Sequence, residues 1–458
     1  MGGLASGLNI ALQSLLAQQT AIETTSNNIA NVNTPGYARQ RAELTETDPV
    51  TIGSLTLGTG VQVSQISSLR DSILDSRVNQ ETQQQGQLGS YLSNAQQVQT
   101  LFNETNGNGL QAPLTAFFNS LSQLASSPSD LNVRGTVVTA AQNLASAFNQ
   151  TSRSLTATQN GIDRSVVQTV SQINTLTAQI ATVNAQVSGA IGSGQSAGTY
   201  IDQRNQLINQ LSTLVDVSTI DAGNGSLTLT TSSGAPLVVG GQNFQLTTQV
   251  GTNGLQNIFS QGTDVTSKIT SGQLAGELQV RDGVIPATLS SIDSLAASLA
   301  TAVNTQNQAG YDLNGAPGGN IFVPVTSTTG AAAALTVATT DGSKIAASSD
   351  GTPGDNGNAN RLLDIQNQAI VNGQSPLSAY SSLVFQIGSD VSTAQSKNDA
   401  GSAVLQQLTN LQGGVSGVDV NEEAANLVRF QNAYQAAAQV TSIINSLLQT
   451  TINMAAGS

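Results

Sequence analysis

In 458 residues the chain contains no cysteine, no histidine and no tryptophan, and aromatic side chains make up 3%. Each absence removes a class of chemistry. Without cysteine there are no disulfides, and redox compartment cannot be read from bonds. Zinc, haem and iron–sulfur sites lose their usual ligands, and histidine general-base catalysis is excluded. Charge is scarce as well, at 9% of residues with a formal net charge of -13. Lysine occurs only at Lys268, Lys344 and Lys397. Nucleic-acid binding needs clustered basic residues to replace counterions, and an anionic membrane surface makes the same demand, so neither partner is expected. No run approaches the roughly 20 apolar residues of a spanning helix. The start, Met1-Gly2-Gly3-Leu4-Ala5-Ser6-Gly7, has neither the basic region nor the apolar stretch of a secretory signal. If the chain is exported, it is expected to use a route that does not read a classical signal peptide.

What the chain does have is 38% apolar residues, mostly Ala, Leu, Val and Ile. Such a set suits thin helical bundles, and the length suits two to four domains. The two ends match each other in character. Residues 4–32 are polar and rich in Asn and Gln, yet Leu8, Leu12, Leu15, Ile22 and Ile29 recur at helical spacing, with Gln19 and Ser26 interrupting the stripe. Residues 420–452 repeat the pattern with Leu427, Tyr434, Ala437, Thr441, Ile444 and Leu448. Stripes this broken do not make a self-sufficient core, so both terminal helices should be marginal in a monomer and firm in an assembly.

Pro35 ends the first helix near Asn33, and Thr34-Pro35-Gly36-Tyr37 fits a type II turn. Residues 38–66, punctuated by Pro49, Gly53, Gly58 and Gly60, read as an extended hairpin. Residues 67–215 read as helical almost throughout. Their clearest seam is Ile162, Val166, Ile173, Leu176, Ile180, Val183 and Val187, spaced as a coiled coil. Composition changes at Asp216: residues 216–270 alternate apolar positions among Gly, Thr and Ser, as strands do. Helix resumes to Val303, and residues 310–357 read as a second β-rich insertion. Helices close the chain over 358–372, 376–412 and 420–455. The expected fold is mainly α with β insertions. It has three parts: a terminal axial domain (1–66 with 414–458), a helical bundle (67–215, 271–309 and 358–413), and small β-rich outer insertions (216–270 and 310–357).

Candidate sites read blandly at first. Glu422 and Glu423 follow Asp419 at a helix start, where acidic residues are favoured by the helix dipole. Gly192–Gly198 lacks the Lys-Ser/Thr ending of a phosphate loop. Asp71, Asp75 and Arg77 read as a solvated or salt-bridged face. Asn27, Asn28, Asn31 and Asn33 are costly in a helix, and two explanations stand open: simple fraying, or amides that bond neighbouring chains. No catalytic, cofactor or metal site is expected.

The segment Ser26-Asn27-Asn28-Ile29-Ala30-Asn31-Val32-Asn33-Thr34-Pro35-Gly36-Tyr37 resembles the N-terminal signature of bacterial flagellar axial proteins. Asn421-Glu422-Glu423-Ala424-Ala425-Asn426-Leu427 and Gln431-Asn432-Ala433-Tyr434-Gln435-Ala436 resemble their C-terminal signature. Ala38-Arg39-Gln40, Phe117-Phe118-Asn119, Leu124 to Asp130, Asp202-Gln203-Arg204-Asn205-Gln206-Leu207, Ser271 to Gly276 and Gly310 to Gly315 narrow the likeness to the hook–filament junction family, with Leu121 standing where that family is expected to carry Trp.

The resemblance implies a non-enzymatic axial protein, passed through the flagellar type III export apparatus and located outside the cell. It implies self-assembly into a ring on hook protein, with a second junction protein and then flagellin above, and an export chaperone on the C-terminal helix. The residues expected to carry assembly are Leu8, Leu12, Leu15, Ile22, Asn27, Asn28, Ile29, Asn31, Pro35, Gly36, Tyr37, Leu427, Tyr434, Ile444 and Leu448. A hook or distal-rod subunit, or an adhesive surface protein, is the alternative.

Overall fold

A computed structural model describes residues 2–52, 55–104 and 109–456; Gly53 of the expected hairpin lies outside them. The N-terminal stripe forms α1 (Gly2–Ala30). It stops short of Asn33 because Asn31 turns its amide back onto the carbonyl and side chain of Asn27, and Thr34 Oγ1 donates to Asn31. Such local side-chain bonds compete with helix continuation. The type II turn follows, with Gly36 at φ 78 and the Tyr37 N–H donating to the Thr34 carbonyl at 3.2 Å.

Next, β1 (Gln40–Glu46) pairs antiparallel with β4 (Val61–Ser68), with a register shift at Glu43/Leu44. Between them β2 (Val50–Ile52) and β3 (Leu55–Leu57) form a small hairpin. Four helices follow: α2 (Ser72–Thr100), α3 (Gln111–Ser126), α4 (Leu131–Gly192) and α5 (Gly198–Leu214). The expected β segment is β5 (Ser218–Asp221), β6 (Leu227–Thr230), β7 (Pro236–Val239) and β8 (Gln242–Asn243) in one antiparallel sheet. A three-stranded sheet of β9 (Leu246–Val250), β10 (Gln256–Ser260) and β11 (Thr263–Asp264) comes next. Then come α6 (Gly272–Gln279), one π turn at Val280–Val284, α7 (Ile285–Gln308), α8 (Ala331–Ala334), α9 (Gly357–Asp364), α10 (Pro376–Ser416) and α11 (Val420–Ala456).

The chain divides into two compact units. One comprises Met1–Gln83, Gln172–Leu246 and Gly401–Ser458; the other comprises Gln84–Ser171 and Thr247–Ala400. In the first unit α1 packs against α11. The α4 seam is buried here at Ile173, Ile180, Val183 and Val187, although Thr177 takes the inward position beside a half-buried Leu176. Helix α5 packs on it through Ile201 and Leu207, and strands hold on to it as well. Asn184 bonds both backbone groups of Leu227 and the Gly240 carbonyl, and Asn174 bonds both backbone groups of Leu246.

The second unit holds the main apolar core. Phe117 sits between Phe118 and Phe322, ring centroids 5.6 Å and 5.9 Å away. Residues 310–357 depart from their expected β character: they contain isolated bridges and no named strand. Ile321, Phe322, Ala331, Leu335 and Ile345 are buried in the helical core. The backbone of this segment finds its partners on helix side chains. Asn304 bonds Ile321 and Phe322, Asn307 bonds Gly319 and Ala346, and Asp293 accepts from Gly330 and Ala332. Buried backbone groups must be paired, and side-chain amides on α7 replace the ladder a sheet would have supplied.

The stretch Gly272–Gln308 has the length and apolarity of a spanning helix. It carries Glu277, Arg281 and Asp293 at buried positions, however, and belongs to this core. Arg281 Nη1 donates to Asp163 and to the Gln256 carbonyl, both at 2.7 Å, and its other nitrogens fork onto Asp282. Glu277 accepts from Ser165, Thr169 and Gln273, and burial pushes its carboxyl above the usual range.

Gly276 brings α6 hard against α2. A Cβ there would strike the Gln87 carbonyl and lie 2.8 Å from the Tyr91 nitrogen. Gly161 in α4 faces open space. Gly276→Ala should therefore lower stability by about 1–3 kcal/mol through overpacking. Gly161→Ala should raise it by about 1 kcal/mol through helix propensity. Urea midpoints of the two variants, shifting in opposite directions, check the assignment.

Candidate assembly site

The terminal helices run antiparallel, with Asn28 at Glu423 and Gly7 at Ile444. The face of α1 that is fully buried is Ala11, Ala17, Ala21, Thr24, Thr25 and Asn28. This helix packs against β1 and β4 as well as against α11. The apolar stripe read from the sequence lies beside this face: Leu8, Leu15, Ile22 and Ile29 are half-buried, and Leu12 is 45% exposed. On α11, Leu427, Ile444 and Leu448 are half-buried toward the pair, Ala437 is buried, and Tyr434 is exposed. Val440, Ile443 and Leu447 form a further exposed apolar row.

The ends of the pair are tied by polar groups. Asn28 is buried, and its amide is saturated. Nδ2 donates to the Gln40 carbonyl at 2.7 Å and to Glu423 Oε2 at 2.9 Å. Oδ1 accepts from Tyr37 Oη at 2.8 Å and from the Gln40 N–H at 2.9 Å. Two donors and two acceptor positions are all that an Asn side chain has. Of the four Asn residues at the helix end, Asn28 is thus neither frayed nor reserved for another chain. Asn27 and Asn31 bond each other in the turn.

Arg39 follows the turn and reaches α11. Its Nε donates to Glu423 Oε1 at 2.7 Å, while Nη1 and Nη2 grip both oxygens of Glu422 at 3.0 and 2.6 Å. The two glutamates therefore do more than favour a helix start. The capping itself falls to Asp419, whose carboxylate accepts from the Asn421 N–H at 2.8 Å. Glu423 is 2% exposed, and a buried carboxylate needs such partners. The Arg39 N–H also donates to the Ser416 carbonyl at the end of α10.

A second cluster holds the turn from behind. Arg70 donates to the Gly36 carbonyl at 2.9 Å and to Asp202 Oδ1 at 2.7 Å, and also touches Asp75 at 3.4 Å. Asp75 accepts in addition from Gln412, so this acidic residue bonds within the chain, while Asp71 caps α2. Burial pushes the Asp202 carboxyl up, with Arg70 opposing. Burial, Asp202 and Glu423 together push the Tyr37 phenol up to about 12. Arg39 is held more firmly protonated by its bond to Glu422.

Arg39, Gln40, Arg70, Asp202 and Glu423 were not among the expected assembly residues. The available signal was charge scarcity: an arginine beside one terminal signature and a glutamate pair in the other are conspicuous in a chain with so few charges. Nothing in the arrangement offers a nucleophile or a metal-binding set; among the described residues no group of three acidic side chains could hold an ion.

Comparison with known proteins covers 98% of the chain. Residues 95–322 match the helical domain of flagellar hook-associated protein FlgK. Residues 8–37 match the flagella basal body rod protein family, and residues 412–454 the C-terminal family of flagellar basal body rod FlgEFG proteins. The chain is similar to flagellar hook-associated protein 1 of Bacillus subtilis, 30% identical over 98% of this chain and 97% of the relative. It is 26% identical to the Escherichia coli protein of that name, over 98% and 100% of the two chains. In fold it resembles the flagellar hook junction protein FlgK of Burkholderia pseudomallei, with a TM-score of 0.66 at 20% identity, covering 74% of this chain and 100% of that one.

Asn28→Ala would strand the backbone groups of Gln40 and weaken the support of Glu423, about 1–3 kcal/mol for each buried group left unpaired. Amide exchange should accelerate in the last turn of α1 and the first turns of α11. The phenol of Tyr37 carries a pH signature. Its folded value near 12 lies above the ordinary 10, so its contribution to stability is complete below the unfolded value and is lost as pH rises through the folded one. Tyrosinate absorbance should show a late group in this range that Tyr37→Phe removes.

Proposed function

The chain belongs to the flagellar hook-associated protein 1 family and is a structural subunit of the hook–filament junction; on that premise we propose that it is held there by burying the outward faces of its terminal helices between copies. The observation that carries this is the position of the apolar stripe. Leu427, Ile444 and Leu448 of α11 are half-buried toward the pair, while Leu12 and Leu16 on α1 and Val440, Ile443 and Leu447 on α11 stay exposed. Exposed apolar rows at helical spacing gain about 25 cal/mol for each Å² taken from water, and only a neighbour can cover them.

In this reading Leu8, Leu12, Leu15, Ile22 and Ile29, with Leu427, Tyr434, Ile444 and Leu448, lie at or beside copy-to-copy contacts. Asn27, Asn28, Asn31 and the turn Pro35-Gly36-Tyr37 set the geometry of the pair. Residues 1–66 and 414–458 form the inner axial layer, the helical bundle with residues 310–357 in its core the next, and residues 216–270 the outermost. The copies close a ring on hook protein, with the second junction protein and then flagellin above it. Before assembly the C-terminal helix is held by an export chaperone, and the chain leaves through the type III apparatus to act outside the cell. No catalytic step is part of the reading. A hook or rod subunit is not favoured: rod-family matches are confined to the two ends, and the hook-associated helical domain occupies the middle.

Removing residues 420–458 in the parent bacterium tests the proposal. Bare hooks with flagellin lost to the medium are expected. Normal filaments would show that the terminal helix is dispensable and sink the mechanism; missing hooks would place the chain earlier in the axis.

A further inference from the structure

Six Asn–Gly steps lie wholly within the described residues, starting at Asn160, Asn224, Asn253, Asn314, Asn356 and Asn372. At such a step the main-chain nitrogen of the glycine can attack the asparagine side-chain carbonyl, because glycine has no side chain to block the approach. The attack needs a free side-chain amide and a free N–H, and five of the six steps lack one or both. The α4 ladder engages the N–H of Gly161. Asn224 Oδ1 accepts from the N–H and the hydroxyl of Ser226. Asn253 Oδ1 accepts the Leu255 N–H, while the Gly254 and Gly315 N–H groups donate to the carbonyls of Gly251 and Asp312. Asn356 Nδ2 donates to the Ala125 carbonyl, and the Gly357 N–H donates to Asp355 Oδ1. Asn372 differs. It is exposed, and among the described residues neither its side chain nor the Gly373 N–H has a hydrogen-bond partner.

We propose that Asn372 is a site of covalent self-modification, where the chain deamidates through a cyclic imide. Asn372 and Gly373, at φ 49 and 80, form the centre of a tight turn closed by Val371 and Gln374, whose two backbone bonds measure 3.0 and 2.9 Å. Opening a turn closed in this way costs far less than opening a helix or the core. In the opened turn the Gly373 nitrogen, giving its proton to solvent hydroxide, forms a bond to Asn372 Cγ. The Cγ–Nδ2 bond breaks, and Nδ2 leaves as ammonia with a proton from water. Water then opens the imide at one of its two carbonyls. Cleavage between the Gly373 nitrogen and Cγ leaves aspartate. Cleavage between that nitrogen and the main-chain carbonyl leaves isoaspartate, with the chain running through the former side chain. Each event adds one negative charge to the -13 of the chain. The isoaspartyl form also adds a methylene to the link between Val371, buried in the core, and α10.

The full-length chain is incubated at mildly alkaline pH, folded and, in parallel, in urea above its unfolding midpoint. Peptide mass maps then read conversion at each of the six steps. In the folded chain Asn372 should convert about tenfold or more faster than the other five, because each of those must first break hydrogen bonds. In urea the six rates should draw together. Equal rates in the folded chain, or another of the six converting first, would overturn the proposal. The product should contain both aspartate and isoaspartate; aspartate alone would mean direct hydrolysis and refute the imide. Asn372→Gln, which cannot close the same ring, should end conversion of the peptide that spans the turn. Conversion that persists in Asn372→Gln would place the reaction at another residue of that peptide and refute the assignment.

Discussion

One buried carboxylate organises the terminal half of this molecule. Glu423 lies out of water at the start of the last helix, and it is matched by an arginine and an asparagine contributed from the other end of the chain. Desolvating a carboxylate is costly, and the cost is met only if the partners arrive together. Asn28 must therefore be at the end of α1, the Pro35-Gly36 turn must reverse the chain, and Arg39 must project just ahead of β1. Arg70 and Asp202 secure that turn from the opposite side. Directional hydrogen bonds fix this register.

The pair locked at one end still leaves apolar surface outside. On α11, Leu427, Ile444 and Leu448 are half-buried toward the pair, and Leu8, Leu15, Ile22 and Ile29 are half-buried on α1, while Leu12, Leu16, Val440, Ile443 and Leu447 stay exposed. In a self-sufficient bundle such rows would be covered within the chain. These features suit a subunit whose core is completed by assembly.

The second unit solves a different problem. Its core is self-contained, built around Phe117, Phe118 and Phe322. A long irregular segment, 310–357, runs through it without strands. Asn304, Asn307 and Asp293 supply the hydrogen bonds that a sheet would otherwise provide. Glu277 in α6 and Arg281 at the π turn find partners on α4, in Ser165, Thr169 and Asp163. Polar side chains in this chain often serve the backbone, in keeping with a composition rich in Asn, Gln, Ser and Thr and poor in charge.

Much of this was legible in the sequence. Helical periodicity marked the long helices, Pro35 and Gly36 marked the turn, and the shift to alternating Thr, Gly and Leu after Asp216 marked the strands, because each is a local property of the backbone. The terminal signatures identified the class of protein. Periodicity could not show which face of α1 would meet α11. A stripe reports that a face wants burial, without saying whether the partner is the same chain or another, and the structure buries Ala11, Ala17 and Ala21 fully while Leu12 and Leu16 stay exposed. Nor could composition show that 310–357 would lie in a helical core, since alternation appears wherever a segment is half-buried and says nothing of what supplies its hydrogen bonds. Glu422 and Glu423 read locally as helix-start residues, and their bonds to Arg39 span nearly the whole chain. Local stereochemistry was settled by the sequence; the pairing of groups hundreds of residues apart was settled only when the tertiary structure brought a buried charge and its partners together.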